Sequence, residues 1–243
     1  MHIGEGDSTL GALVAAAAAT GLLHTLLGPD HVLPFVAMAR AGRWSLRRTL
    51  AVTALCGAGH VAASVLLGLL GLSLGLAVFR IERLEALRGD LAGWLLLGLG
   101  IAYLAWGVRR AIRRRPHSHL HVHEGGVVHA HPHAHEAEHA HVHAAGERGG
   151  RRRAAWILFT VLVFGPCEPL VPLFLYPAAT GRPSQAALVA AAFATTTLLT
   201  MTALVAAGWL GARSLRIGRL ERYAHACAGA VLVACGIAVK AGL

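Results

Sequence analysis

Two acidic residues stand inside long apolar stretches of this chain, and each follows a Gly-Pro pair. Asp30 belongs to the segment GPDHVLP, and Glu168 belongs to GPCEPLVP. An ionisable side chain within a membrane span is costly, so its usual meaning is a substrate or ion pathway. Proline lacks a backbone N–H and disturbs the preceding helical turn. The sequence therefore predicts two polar helix breaks inside an apolar protein.

Histidines gather around the first break. His24 and His31 are seven positions apart and would share one face of a continuous helix, whereas local unwinding would bring Asp30 to the same place. His60, in GAGHVAAS, adds another imidazole between small residues that permit close helix contact. Imidazole nitrogens with a carboxylate suit nickel, cobalt and zinc. The alternative is that these buried histidines only hydrogen-bond between helices.

The second break carries a thiol and a carboxylate. Glu168 is a candidate metal ligand, proton carrier or partner of a histidine, and Cys167 is either a soft ligand or a small residue at a helix crossing. Thr196 and Thr197 are further candidates, although threonines in membrane helices commonly bond to their own backbone. The predicted core metal residues are His24, Asp30, His31, His60, Cys167 and Glu168.

The composition is that of a membrane protein. Hydrophobic residues make up 56% of the 243 residues and charged residues 14%, with a mean hydropathy of +0.58, which leaves too little polar surface for a soluble globule. A membrane-spanning helix needs about 20 residues. The stretches that meet this need are residues 8–27, 49–74, 91–108, 154–176, 184–212 and 223–239.

An internal repeat relates the two halves of the chain. Residues 80–103 align without a gap on residues 216–239 with eleven of 24 positions identical, and the two Gly-Pro pairs fall at nearly the same offset. Because each copy would hold three spans, the second must enter the membrane in the opposite orientation. The predicted fold is an all-α integral membrane protein with six transmembrane helices in two inverted three-helix repeats. These are residues 1–109 and 154–243, joined by residues 110–153.

The net charge of +10 is explained by topology. Residues 40–48, 109–153 and 213–222 hold four, nine and four of the 22 Lys and Arg residues. Such a bias predicts that these three loops are cytoplasmic and both termini lie outside, in a multi-pass protein of the cell (inner) membrane. The expected partners are the lipid bilayer and divalent metal ions. Nucleic acid is not expected, and a homo-oligomer is compatible with this plan.

The segment between the two repeats is rich in histidine. It holds eleven of the chain's sixteen histidines, mostly at every second position, so an extended segment would place neighbouring imidazoles on one side. Its prolines and glycines predict a largely disordered loop with accessory metal affinity that does not discriminate between metals. The loop ligands would be His117, His119, His121, His123, His129, His131, His133, His135, His139, His141 and His143.

Four of these features together resemble a known family. The motifs GLLHTLLGPDH, GAGHVAAS and FGPCEPLVPL, with the histidine loop, are similar to the nickel/cobalt transporter family in the broad sense, which includes urease-accessory-type nickel permeases and histidine-rich nickel/cobalt efflux proteins. The resemblance implies that His24, Asp30 and His31 form the metal signature, supported by His60. One departure is that five residues separate His24 from the Asp-His pair, where the nickel permease pattern has four.

The sequence thus predicts a transporter of divalent transition-metal ions, nickel or cobalt first, with the direction open and a zinc transporter as an alternative. It is not expected to be an enzyme, and it needs no cofactor beyond the transported Ni²⁺, Co²⁺ or Zn²⁺. A transmembrane thiol-disulfide electron carrier is a further alternative, because Cys167 is flanked by prolines. That chemistry needs a second cysteine at the matching point of the other repeat, which here is occupied by Asp30 and His31.

Overall fold

The computed structural model describes residues 3–75, 77–113, 117–122, 128–133, 156–165, 169–214 and 218–242. These residues are predominantly α-helical. In chain order the elements are α1 (Ile3–Leu27), a 3₁₀ turn (Pro29–His31), α2 (Leu33–Ala41), α3 (Leu46–Ser73), α4 (Val78–Arg113), β1 (His117–Val122), β2 (Val128–His133), α5 (156–164), α6 (Leu170–Ala179), α7 (Pro183–Ser214), a second 3₁₀ turn (Gly218–Tyr223) and α8 (Ala224–Lys240).

Five helical segments of the described chain are long and apolar enough to cross a membrane. They are Thr9–Leu27, Leu46–Ser73, Val78–Arg113, Pro183–Ser214 and Glu221–Lys240. Large apolar side chains cover their outer faces, for example Leu66 and Leu199, which are both 65% exposed. Such surfaces suit contact with lipid chains and are unusual on a soluble monomer. The structure therefore has the features of a multi-pass α-helical membrane protein.

The fourth predicted span, residues 154–176, is not one continuous helix. Helix α5 ends at residue 164 and α6 begins at Leu170, with Gly165 and Pro169 as the described residues between them. The first predicted break has the same form, because α1 ends at Leu27 and the short helix α2 follows the 3₁₀ turn. Prolines in both segments explain why neither helix continues.

Helix α4 begins earlier than the sequence predicted. The apolar stretch predicted as a span begins at residue 91, yet the helix starts at Val78. Ile81, Glu85 and Gly89 are all buried, and their spacing of four residues places them on one helix face. The charge of Glu85 is accommodated there because Arg88 forms an ion pair with it. The helix therefore extends through a segment that looked too polar for a membrane span.

Helices α4 and α8, which contain the repeated segments, cross with very close backbones. A Cβ built on Gly100 of α4 would lie 2.6 Å from the backbone nitrogen of Val233, and one built on Gly229 of α8 would lie 2.4 Å from that of Leu104. Further along, Gly107 meets Ala226 in the same way. Positions that ascend in α4 meet positions that descend in α8, so the two helices run antiparallel. Glycine is required here because any side chain would push the backbones apart.

Buried apolar side chains form two clusters near the first break. One cluster joins α2, α5, α7 and α8, and its buried members include Phe35, Leu162, Met201, Leu232 and Cys235. The other joins α1, α3, α6 and α7, and its buried members include Ala17, Val61, Phe174 and Phe193. Helix α1 packs mainly on α7, and α3 packs on both α6 and α7. Elements from both halves of the chain thus surround the turn at Pro29–His31.

Within the histidine-rich segment, the structure describes an antiparallel pair of short strands, where the sequence predicted a loop. The Cα partners in the register of β1 and β2 include three histidine pairs: His117 with His133, His119 with His131, and His121 with His129. A histidine at every second residue matches the two-residue period of a strand.

Candidate metal site

Three histidines from separate elements converge beside the first break. His24 lies in the last turn of α1, His31 ends the 3₁₀ turn, and His60 lies in the middle of α3. One ligand nitrogen from each ring lies within 4.8 Å of the other two. The ring centroids are 4.5 Å apart for His24 and His31, 5.2 Å for His31 and His60, and 5.9 Å for His24 and His60. We refer to these three residues as the histidine cluster.

Two rings of the histidine cluster are oriented by hydrogen-bond contacts at their Nδ1 atoms. His31 Nδ1 lies 2.9 Å from the Oδ1 atom of Asp30, and His60 Nδ1 lies 2.9 Å from the carbonyl oxygen of Leu162. A carbonyl oxygen only accepts hydrogen bonds, so the proton in the second contact belongs to His60 Nδ1. An Nδ1–H donated in this way leaves Nε2 with a free lone pair. Metal-binding histidines are commonly oriented by a carboxylate or carbonyl in this manner.

The Nε2 atoms of all three rings are buried and lack a hydrogen-bond partner in the described part of the chain. Leaving one buried polar atom unsatisfied costs about 1–3 kcal/mol. His31 and His60 are almost completely buried, at 2% and 0% exposure, so exchange with bulk solvent does not explain these atoms. Three neighbouring nitrogen lone pairs can be satisfied together by one cation. Three histidines with one open position are a common donor set for zinc and related divalent ions.

The conformation of the break creates this geometry. The backbone N–H of Gly28 donates to the carbonyl of His24 at 2.9 Å, and the N–H of His31 donates to that of Gly28 at 3.2 Å. A Cβ built on Gly28 would lie only 2.4 Å from His31 Nδ1. The chain therefore folds tightly at a position where only glycine leaves room, and His31 returns toward His24 although α1 has already ended.

Asp30 contacts His31 at Nδ1, and its carboxylate is not grouped with the three histidine ligand atoms. Asp30 also lines a small cavity with Phe35, Leu96 and Gly165. Gly165 directly follows α5, so the two predicted breaks face the same cavity. A Cβ built on Gly165 would lie 3.3 Å from His60 Nδ1, so the His60 ring packs against the second break.

The other predicted core residues are placed differently. Cys167 and Glu168 lie outside the described residues. Thr197 is fully buried, with an Oγ1 atom that has no partner among the described residues, but it faces Gly21 of α1 and is not grouped with the histidines. Thr196 is half-buried. Of the loop histidines, positions 117, 119, 121, 129, 131 and 133 lie in the described strands, and positions 123, 135, 139, 141 and 143 lie outside the described residues.

Sequence reasoning missed a buried charged group next to the site. Glu85 is fully buried, and its carboxylate receives hydrogen bonds from Arg88 at 2.6 Å and from Ser64 at 3.2 Å. The available signal was the spacing of three between Glu85 and Arg88 within an otherwise helical pattern. A second missed contact joins Cys235 of α8 to the break, because its Sγ lies 3.6 Å from the carbonyl oxygen of Pro29.

Comparisons with protein-family models, with curated proteins and with solved structures find no match to this chain. The resemblance to nickel/cobalt transporters therefore rests on the motifs in the sequence and stays a prediction.

Proposed function

We propose that this protein is a membrane transporter of divalent transition-metal ions, with Ni²⁺ or Co²⁺ as the first candidates. The observation that carries the proposal is the histidine cluster of His24, His31 and His60, whose Nε2 atoms are buried together without a partner among the described residues. Three such atoms in an apolar core are costly to leave unsatisfied, so their grouping points to a ligand that they share. In an apolar helical protein, such a group of polar atoms is a candidate binding site on an ion pathway.

The donor set supports a borderline transition metal. Imidazole nitrogen favours zinc, copper, iron and nickel, whereas calcium and magnesium prefer oxygen ligands. Three protein nitrogens also leave a position for water or a further ligand, so a bound ion can enter and leave. Nickel or cobalt comes first because of the sequence resemblance, and a zinc transporter is the alternative that the same donors allow.

The packing of the repeated segments supports a transport function over metal storage. The repeated segments lie in α4 and α8, which pack antiparallel through glycines at equivalent positions: Gly93 and Gly100 in the first copy, and Gly229 and Gly236 in the second. An antiparallel pair is what an inverted repeat of three spans produces. Binding sites in such folds lie at broken helices between the repeats, where rocking of one repeat exposes the site alternately to each side.

The membrane orientation follows from charge. We propose that the protein lies in the inner membrane with its termini outside and the basic segments at 40–48, 109–153 and 213–222 in the cytoplasm. The histidine-rich segment then faces the cytoplasm and raises the metal concentration near the cytoplasmic entrance. No P-loop sequence occurs in the chain, so transport would draw on an ion gradient or a partner protein.

The deciding experiment is metal flux by the full-length protein in liposomes that contain a metal-sensitive dye. Ni²⁺, Co²⁺ and Zn²⁺ would be compared for the natural chain and for the variants His31→Ala and His60→Ala. The matched control is His225→Ala, because His225 contacts Tyr103 and Trp106 at the α4–α8 crossing, away from the cluster. We expect flux to be lost in both cluster variants and kept in the control. Flux that is absent for all three metals, or unchanged in both cluster variants, would overturn the proposal.

A Cys167→Ser variant, measured for metal flux and for thiol-disulfide exchange across the membrane, separates the electron-carrier alternative. Cys56, Cys227 and Cys235 are free thiols in the structure. A metal carrier should keep most of its flux when Cys167 is replaced by serine, whereas a thiol-disulfide carrier would lose all electron transfer.

A further inference from the structure

The carbonyl end of α5 is held by a charged side chain from α4. Arg88 Nη2 donates to the carbonyl oxygen of Val163 at 2.7 Å and to that of Gly165 at 3.3 Å. Through Nη1 the same guanidinium donates to Glu85 at 2.6 Å. Arg88 therefore joins a buried carboxylate of its own helix to the last carbonyls before the second break.

These carbonyls need donors from outside the helix. The last turn of any helix leaves its carbonyl oxygens without intrahelical partners. The neighbouring carbonyl of Leu162 also lacks its usual donor four residues later, because Pro166 has no backbone N–H. The planar guanidinium of arginine, with its several N–H donors in fixed directions, can serve two carbonyls and a carboxylate at once.

The neighbouring carbonyl of the same helix end anchors the histidine cluster. The Leu162 oxygen accepts from Gly165 N at 2.9 Å and from His60 Nδ1 at 2.9 Å. Arg88 thus binds the carbonyls of Val163 and Gly165, while His60 binds the carbonyl of Leu162, the residue just before Val163. A movement of this end would change the direction in which His60 presents Nε2.

A gain in stability alone does not explain why a charged pair is buried here. Removing a carboxylate from water is expensive, and a well-packed apolar pair is often as stable as a buried ion pair. Glu85 is nevertheless fully buried, held by Arg88 and also by Ser64, which lies one helical turn after His60 in α3. The charged pair connects α3, α4 and α5 at the level of the cluster, a task that apolar side chains cannot perform.

We propose that Arg88 is a positioning residue for metal binding. Held by Glu85, it fixes the carbonyl end of α5, and this keeps His60 Nδ1 hydrogen-bonded and His60 Nε2 directed to the histidine cluster. The inference deepens the proposed function and rests on it. The test must therefore separate failure of the two.

A double-mutant cycle tests the inference. The full-length protein is purified in lipid nanodiscs, with the eleven loop histidines replaced by asparagine so that only the core site is titrated with Co²⁺. We expect Arg88→Gln to weaken Co²⁺ binding about 10–100-fold, the usual effect of losing an outer partner of a metal ligand. Arg88→Lys should recover part of the affinity, because it restores the charge with fewer fixed donors. In a His60→Ala background, Arg88→Gln should weaken Co²⁺ binding by less than about a factor of 2, because the effects of two mutations that act through the same contact do not add.

Two further variants control for loss of charge on α4 and for misfolding. Asp90→Asn removes the carboxylate of another ion pair on α4, which joins Lys240, and it should leave Co²⁺ affinity unchanged. If Arg88→Gln alone fails to insert because Glu85 is left uncompensated, the Glu85→Gln, Arg88→Gln double variant removes both charges and should show the same loss of affinity. A loss that adds fully to that of His60→Ala, or an unchanged affinity, would overturn the positioning role.

The controls also distinguish the two proposals. If the background protein binds Co²⁺ and His60→Ala weakens binding, but Arg88→Gln and the double variant do not, only the positioning role fails. If the background protein binds no Co²⁺, the proposed function fails and the positioning role fails with it.

Discussion

His60 and Leu162 are 102 positions apart in the chain, yet the His60 ring donates through Nδ1 to the Leu162 carbonyl at 2.9 Å. The contact joins α3, from the first half of the chain, to the end of α5, from the second half. A ring held in this way keeps its opposite nitrogen, Nε2, free of that hydrogen bond, and the ring lies beside those of His24 and His31. The candidate site is therefore built by both halves of the molecule.

Replacing Gly28 by alanine should disrupt the histidine cluster. The new Cβ would lie 2.4 Å from His31 Nδ1 and 3.0 Å from the Asp30 carboxylate, so the ring must move away from its partner. We expect at least a tenfold loss of metal flux in liposomes. Gly11→Ala, within α1 and with nothing within 4 Å of the added carbon, is the control and should be neutral or stabilising by up to about 1 kcal/mol. Equal flux in the two variants would show that the close approach at Gly28 is unimportant.

Asp30→Asn should weaken metal binding without preventing insertion. An amide keeps the size of the carboxylate but loses the charge that orients His31 Nδ1, and outer partners of metal ligands are commonly worth 10–100-fold in affinity. Titration of the full-length protein with Ni²⁺ or Co²⁺ measures the change. Full retention of affinity would mean that Asp30 does not orient the ligand.

The α4–α8 crossing should be sensitive to a single methyl group. A Cβ at Gly100 would lie 2.6 Å from the backbone nitrogen of Val233, whereas one at Gly98 meets nothing within 4 Å. We expect Gly100→Ala to destabilise the protein by about 1–3 kcal/mol, since an overpacked contact forces the backbone to shift. Thermal unfolding in detergent, followed by tryptophan fluorescence, should show a lower Tm for Gly100→Ala and no fall for Gly98→Ala. Matching Tm values would contradict the close crossing.

Replacing residues 116–150 by a Gly/Ser linker of equal length should separate the loop from the core. The change removes all eleven loop histidines but leaves the histidine cluster untouched. If the loop only raises the local metal concentration, the apparent KM for metal should rise while the maximal flux is kept. A folded variant with no flux at any metal concentration would place the loop in the transport pathway itself.

The proposed orientation predicts which sites a membrane-impermeant thiol reagent reaches in intact cells. Single cysteines at positions 6 and 126, in a chain with its four natural cysteines replaced by serine, report on the N-terminus and the histidine-rich segment. We expect labelling at position 6 only, because basic loops stay in the cytoplasm. Labelling at position 126 before the cells are opened would reverse the assignment.

The amino-acid sequence by itself determined the class of the protein, most helices and the candidate role of its key histidines as ligands. Apolar stretches of membrane length and Gly-Pro breaks are local properties, since they depend on the side chains and missing N–H groups of neighbouring residues. The motifs identified His24, His31 and His60 as candidate ligands together with Asp30, Cys167 and Glu168, and the structure brings the three histidines together. The division of the fourth stretch, residues 154–176, into α5 and α6 agrees with the break that the same proline chemistry predicts there, whereas hydropathy alone indicates one span.

The tertiary structure decided what each polar group bonds to. It placed Asp30 behind His31 instead of within the cluster, buried Glu85 in a segment that looked too polar for a span, and gave Arg88 its carbonyl partners. These contacts join residues up to 206 positions apart, as for Cys235 and Pro29. Such partners depend on how helices cross, and a buried charge is tolerated only where that crossing supplies its counterpart, which hydropathy along the chain does not report.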